Sequence, residues 1–378
     1  MILALTIGLG GAIASDFRIK DHNRLIEFSK SVNSGTNYKG TTVFLDADID
    51  VPDDPLIQFS PIGNNSKTYF RGTFEGQGHV ISNLRYKGPI PYVGLFGYSG
   101  YGVTVRNVII DKSCTFESTY EDGNSYVGGI IGRCDAVNQG CTIENSVSMG
   151  DVTFSGSANN YNLYLGGISG YLQSGTKGYT ASVENCDSYG TVTHSGTTTT
   201  SYIGGVLGYI TSSNTLKYVK NCVNHGSIKH TGTTSGNMFM GGIGGRFNSS
   251  STSYATDVRG CANYGDIQKV GGGSCSHSYI GGIVGHFYKP GNGDSYIRNC
   301  FSHGKITYKS SSDSLNIGGI AGQFEPSTSG NYAGDIKSCG NYGDIYKSEN
   351  INSGTHIGGV VGYFAQNRYK YIRNCFNY

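Results

Sequence analysis

The stretch Ser201-Tyr202-Ile203-Gly204-Gly205-Val206-Leu207-Gly208-Tyr209, with Val219-Lys220-Asn221-Cys222-Val223-Asn224-His225-Gly226-Ser227-Ile228 after it, decides how this chain is read. Each half is one copy of a phrase that recurs along the sequence. The first phrase, an apolar residue followed by Gly-Gly-apolar-x-Gly, occurs seven times, with its second glycine at Gly129, Gly167, Gly205, Gly242, Gly282, Gly319 and Gly359. A divergent forerunner holds Gly94, and the steps between these glycines are 35, 38, 38, 37, 40, 37 and 40 residues. Self-similarity at a near-constant period marks a repeat array, in which each unit buries its apolar face against its neighbours.

The slack in the period collects in Ser-, Thr-, Gly- and Asn-rich stretches such as Ser155 to Asn160, Ser195 to Ser201 and Ser310 to Ser314, which read as surface loops. The invariant parts are short, β-branched and alternating, as in Val183-Glu184-Asn185-Cys186 and Ile297-Arg298-Asn299-Cys300, which is the pattern of strands. A helical repeat is excluded, because each of 60 glycines would cost a helix about 1 kcal/mol. Two or three short strands per unit, bent at Gly and Asn and stacked in parallel, make one coil of a β-solenoid. The expected fold is all-β, a right-handed parallel β-helix of about eight rungs over 88–378, after an N-terminal cap and first rungs over 16–87. With strands about 4.8 Å apart, such a rod is roughly 45–50 Å long.

A net charge of +2 on 378 residues, 14% of them charged, argues against nucleic acid as a partner. No apolar run of 18 residues occurs, so no membrane-spanning helix is expected. Residues 1–15 hold an apolar segment from Ile2 to Leu9 and an Ala12-x-Ala14 site before Asp16, and read as a secretory signal peptide without a basic start. A secreted or cell-surface location is therefore expected, in keeping with 29 Tyr, Ser/Thr-rich loops and sequons at Asn64 and Asn248.

Beyond that segment, His22 to Val32 carries Leu25, Ile26 and Phe28 among polar residues after a candidate N-cap at Asp21, which predicts one amphipathic helix covering the first rung. Thr42 to Asp50 follows as a single period-2 strand that places Asp46, Asp48 and Asp50 on the solvent side.

The block Pro61-Ile62-Gly63, Phe70 to Leu84 and Val93-Gly94-Leu95-Phe96-Gly97-Tyr98, with the recurrent Gly-Gly-x-x-Gly-Tyr and Asn-Cys-x-x-x-Gly, resembles the GLUG-repeat proteins. These are secreted and cell-surface β-helix proteins, and their repeats also lie beside a class of immunoglobulin A peptidases. The resemblance covers nearly the whole chain after residue 15 and implies a pectin-lyase-like right-handed β-helix with a surface, adhesin-like role. It implies no catalytic residues, since the peptidases keep their zinc chemistry on a separate His-Glu-x-x-His helix, a motif missing from this sequence.

Three columns of the repeat stand out. Cys186, Cys222, Cys261, Cys300, Cys339 and Cys375 share one position and would stack about 4.8 Å apart, which suits small buried hydrophobes better than a metal site or a disulfide series. Cys134 and Cys141, separated by six residues, are the candidate disulfide, and Cys114 and Cys275 are left over. Beside the cysteines, Asn145, Asn185, Asn221, Asn299 and Asn374 are expected to bond rung to rung at a bend, with Gly260 and Ser338 in the same column. An aromatic position, Tyr189, His225, Tyr264, His303, Tyr342 and Tyr378, reads as similar architecture.

The third column is the candidate binding face. One residue before the Asn position the chain reads Glu144, Glu184, Lys220, Arg259, Arg298, Lys337 and Arg373, so five cations in succession form a basic stripe that would suit an anionic glycan. Tyr98, Arg133, Tyr171, Tyr209, Arg246, His286, Gln323 and Tyr363 form an aromatic, Arg-rich column of the kind found at recognition surfaces. Ligand-binding candidates are Lys220, Arg259, Arg298, Lys337, Arg373, Tyr171, Tyr209 and Arg246. No catalytic, metal or cofactor site is expected. The function expected is a non-catalytic, adhesin-like protein that binds a glycan or a host or matrix protein. The alternative is a carbohydrate-active β-helix enzyme, a polysaccharide lyase or glycoside hydrolase, which would need paired acids in a groove. The final copy, Ile372 to Tyr378, stops before the strand that follows in every other copy, so a shortened array with end-to-end self-association through the last rung is expected.

Overall fold

The computed structural model describes residues 16–378 apart from 55, 57, 137–138, 175–179, 213–216, 250–255, 272, 274, 290–292, 311, 327–333, 349–353 and 366–369. The expected signal peptide lies outside the described residues. From residue 16 the chain winds into a parallel β-solenoid whose sheets hold 11, 10, 8, 9 and 8 strands in order around the coil. One coil shows the pattern: Ala181–Glu184, Asp187–Ser188, Val192–His194, Thr197–Gly204 and Leu207–Ser212 contribute one strand to each of the five sheets. Each strand pairs in parallel with its counterparts in the coils before and after. The coil therefore has five straight segments where the sequence predicted two or three, because the Asn bend and the Gly-Gly bend each break a run that reads as continuous.

The Asn bend lies between the first and second sheets. Asn107, Asn145, Asn185, Asn221, Asn299 and Asn374 all have φ between 50° and 55°, Ser338 has 52° and Gly260 has 65°. That left-handed conformation disfavours branched residues and is tolerated by Asn and Gly. The expected amide ladder forms here, with Asn185 Nδ2 donating to Asn145 Oδ1 at 3.0 Å and Asn221 Nδ2 to Asn185 Oδ1 at 3.1 Å.

The Gly-Gly bend lies between the fourth and fifth sheets and gives the coil its cross-section. A β-carbon at Gly205 would lie 2.2 Å from Cγ of Asn224, an inward-facing residue of the second sheet, and 2.3 Å from the carbonyl oxygen of Gly242. At Gly208 it would lie 2.6–2.9 Å from the backbones of Gly170 and Leu165. The bend thus points into the core and touches the opposite wall, which only glycine permits. The outer faces of the fourth and fifth sheets consequently face each other across a re-entrant cleft that runs along the rod.

The helix His22–Asn33 closes the N-terminal end, with Asp21 accepting from Arg24 N at 2.8 Å. Leu25, Phe28 and Val32 are fully buried, and the Phe28 ring meets Phe17, Tyr38, Phe70 and Phe74 at 5.0–6.1 Å. Ile26, on the expected apolar face, is only half-buried. The predicted strand over 42–50 is two strands, Thr42–Leu45 and Ile49–Asp50. The break between them lets Asp46 pair with Arg18 at 2.9 Å and Asp48 accept from Val80 N at 2.9 Å.

The cysteine column lines the core behind the Asn bend, fully buried from Cys186 to Cys339 and half-buried at Cys375. Each Sγ donates to a carbonyl, as from Cys222 to Lys220 O at 3.2 Å, and burial pushes the Cys222 and Cys300 thiols well above their usual range. Cys134 and Cys141 form the expected disulfide, with α-carbons 6.7 Å apart.

Candidate recognition cleft and basic stripe

The aromatic, Arg-rich column predicted from the sequence runs in register along one wall of the cleft, on the fifth sheet. The other wall carries a column that the sequence reading missed: Tyr92, Tyr126, Tyr164, Tyr202, Phe239, Tyr279, Asn316 and His356. Its signal was present, since each residue from Tyr126 on stands two positions before the Gly-Gly pair, and Tyr92 two before Gly94. From Tyr126 to Tyr279 the rings stack at 4.8–4.9 Å within 5° of parallel, the spacing of adjacent strands. The walls also touch: Tyr164 meets Tyr171 at 5.0 Å and Tyr202 meets Tyr209 at 4.8 Å. Burial in this packing raises the Tyr164 and Tyr171 hydroxyls above the usual phenol range.

Two arginines punctuate the cleft differently. Arg133 is saturated: it donates to both carboxylate oxygens of Asp135 at 3.1 and 2.9 Å and to the Tyr126 hydroxyl at 2.7 Å, and it lies over the Tyr98, Tyr126 and Tyr171 rings. Arg246 lies over Phe239 at 4.9 Å and Tyr288 at 5.4 Å, and among the described residues no carboxylate comes within ion-pair distance of it. Its buried Nε has no hydrogen-bond partner.

The basic stripe occupies the outer face of the first sheet, with Lys220, Arg259, Arg298, Lys337 and Arg373 in register. The cations are not left to repel one another. Two residues earlier in each strand a second column, Tyr218, Asp257, Tyr296, Asp335 and Tyr371, runs beside them. Lys220 pairs with Glu184 at 3.2 Å, Arg298 and Arg259 share Asp257 at 2.8 and 3.7 Å, and Arg373 reaches Asp335 at 3.6 Å. Arg298 and Arg373 lie 4.0 and 3.9 Å above Tyr296 and Tyr371. Tyr and Asp alternating along this column are the physical reason why five cations can follow one another. The acids are more buried than the cations, with Asp257 15% exposed against 43% for Arg259, so the stripe shows water mainly positive charge. The aromatic ladder from Tyr189 to Tyr342 stacks on a separate edge at 4.3–5.3 Å.

Behind one wall of the cleft the core, aliphatic at Leu165, Ile203 and Met240, holds a polar cluster. The His194 and His230 rings stack at 4.3 Å, fully buried, with Nε2 atoms 3.1 and 2.8 Å from the Thr198 and Thr234 hydroxyls, and Ser201 joins both threonines. Burial holds the His194 imidazole down to about 3 and His230 well below the usual range. A cavity of about 170 Å³ near the first coils is lined by Asp53 and Asp54 together with Phe59, Asn83 and Arg85. Asp53 pairs with Arg85 at 3.1 Å, and its side chain is 86% exposed. Among the described residues no three His, Cys, Asp or Glu side chains are grouped to hold a metal, and no helix is long and apolar enough to cross a membrane.

A solved structure with the same winding is that of a putative immunoglobulin A1 protease from Bacteroides ovatus, at TM-score 0.55 and 17% identity. The match covers 84% of this chain and 85% of that one, and it supports the parallel β-solenoid fold. No family model matches the chain, and no curated protein does.

Proposed function

We propose that this chain is a non-catalytic, secreted or cell-surface recognition protein of the GLUG-repeat kind, adhesin-like, which binds an extended glycan. The observation that carries the reading is the cleft, where two columns rich in Tyr, Arg and His continue in register from rung to rung, broken at Asn316 and Gln323. A ligand made of repeating units would meet the same surface at each step. Tyr171, Tyr209 and Arg246 are its contacts, and Lys220, Arg259, Arg298, Lys337 and Arg373 on the stripe attract anionic chains. Asp46, Asp48 and Asp50 each hold a structural partner, Arg18, His79 and Asn83, which supports the non-catalytic reading. An enzyme would rest on Asp53 and Asp54, whose cavity is open to solvent on the Asp53 side.

An array of glycans and matrix components tests the proposal with the native chain and with Tyr171→Ala/Tyr209→Ala. Binding to one glycan class, lost in the double variant while the circular dichroism stays unchanged, is the expected result. Binding to matrix proteins alone, or turnover of a polysaccharide that Asp53→Asn abolishes, would overturn it.

A further inference from the structure

The geometry points to a carboxylate-specific subsite in the cleft around Arg246 and His286, selecting an acidic sugar, a uronate or a sialate, from among glycans; this rests on the glycan reading above. The two arginines of the cleft supply the argument. They occupy the same column, three rungs apart, and both lie among aromatic rings. Arg133 has its own carboxylate, Asp135, two residues further along the same strand. The equivalent position after Arg246 is Asn248, whose Nδ2 donates instead to the Tyr209 hydroxyl at 2.8 Å. The internal acid that neutralises the first guanidinium has thus no counterpart at the second.

The next rung adds an independent sign. His286, in register with Arg246, is 5% exposed and has neither ring nitrogen hydrogen-bonded. Its ring lies against Phe239 at 5.5 Å and Tyr279 at 5.0 Å. Glu325 Oε2 stands 3.8 Å from His286 Nε2, beyond hydrogen-bond reach. Among the described residues of the two cleft columns, the buried side-chain polar atoms without a hydrogen-bond partner are Arg246 Nε and the two His286 ring nitrogens, on adjacent rungs, and buried polar groups without partners are costly.

The chemistry of the missing partner follows. A guanidinium fork matches a planar carboxylate. Glu325 stands against His286 and forms no ion pair with Arg246, so among the described residues the guanidinium is one unpaired charge and a singly charged group suits this place better than a sulfate cluster. The half-buried Tyr279 and Tyr288 rings provide the apolar flank against which a pyranose ring lies. Along the chain of sugars, Tyr209 and Tyr202 then meet the neighbouring residue on one side.

The test is calorimetric titration of the intact chain with short oligosaccharides of galacturonate, glucuronate and mannuronate and with sialyllactose, each also as its carboxyl methyl ester. Tighter binding of at least one acid than of its ester is expected, with a loss of about tenfold or more in Arg246→Gln and a smaller loss in Arg246→Lys, which keeps the charge without the fork. Should Arg246→Gln fail to fold, the Lys variant and the ester comparison still decide. Equal binding of acids and esters, or unchanged binding in Arg246→Gln, overturns the subsite. If neutral glycans bind in a Tyr171- and Tyr209-dependent way and no acid is preferred, the subsite falls and the glycan reading stands. If no glycan binds at all, both fall.

Discussion

The cleft and the stripe are both outer columns of cations and aromatic rings in perfect register, yet they are supported differently. Behind the stripe the first sheet buries Val183, Val219, Val258, Ile297 and Ile336, with Lys217, Thr256 and Ser295 on the same inner face, and among the described residues no histidine joins them. Behind the fourth-sheet wall of the cleft, Leu163, Leu165, Ile203, Met238 and Met240 share the core with a polar cluster of His194, His230, Thr198, Ser201 and Thr234, all fully or almost fully buried. The stripe hangs on an Asn bend open to water, whereas the cleft hangs on a Gly-Gly bend wedged against the opposite wall. The same repeat therefore makes one face that tolerates change and one that does not.

Acid should separate the two faces most strongly. The folded-state value of His194, about 3, lies below the ordinary imidazole value of about 6.5, so the native state binds fewer protons than the unfolded chain. The stability contributed is fully present above about pH 6.5 and is lost as pH falls toward 3, by about 3 kcal/mol from His194 alone at pH 4. Hydrogen exchange followed by mass spectrometry should show Thr197–Gly204 opening between pH 7 and pH 4 while Ser295–Arg298, whose inner face carries Ser295 and Ile297, stays protected. His194→Phe/His230→Phe, continuing the ring column begun by Phe154, should flatten that dependence. Simultaneous opening of both strands would break the comparison.

Gly205→Ala comes next. The clash with Asn224 and the Gly242 carbonyl should cost about 2–3 kcal/mol, read from the urea midpoint, whereas Gly273→Ala, which meets only Thr233 Cγ2 at 3.2 Å, should change little. On the stripe side, Asn221→Ala places a residue without a hydrogen-bonding side chain at φ 51° and removes one rung of the amide ladder, a loss of about 1–2 kcal/mol. An Asn221→Ala loss greater than that of Gly205→Ala would reverse the ranking of the two bends.

The smallest structural effect is expected from the stripe itself. Arg259, Arg298 and Lys337 changed together to Gln should lower stability by less than about 1 kcal/mol per pair, yet shorten retention on a sulfated-polysaccharide column and flatten its salt dependence. Unchanged retention would show that the Asp and Tyr column has already neutralised the stripe. Alkylation of the native chain should reach Cys375 first and leave Cys186 to Cys339 unmodified until denaturation. Early labelling of Cys222 would show that the core behind the stripe is open to solvent.

Much of this was legible beforehand. Solenoid, helical cap, Asn ladder, buried cysteine column and the Cys134–Cys141 bridge follow from period, alternation and spacing, which are local. The missed wall of the cleft was local too, since Tyr126, Tyr164, Tyr202 and Tyr279 precede Gly-Gly at a fixed offset. What hid it was the direction in which the bend turns. An outward bend would have splayed these tyrosines away from Tyr171 and Tyr209, and nothing in a one-dimensional repeat distinguishes the two cases. The pairing of the stripe was hidden for a related reason, because Asp257 meets Arg298 only through the register of adjacent coils.

By itself the sequence determined that the chain stacks on itself, at what period, and which residues share a column, because a repeat brings identical positions into register wherever strands pair in parallel. Only the tertiary structure decided which columns face each other. The Gly-Gly bend turns inward because the second sheet stands opposite with small Ser and Asn side chains that receive it, and that contact crosses the coil. It sets Tyr164 against Tyr171, and it leaves Arg246 beside His286 with no acid among the described residues to hold the guanidinium.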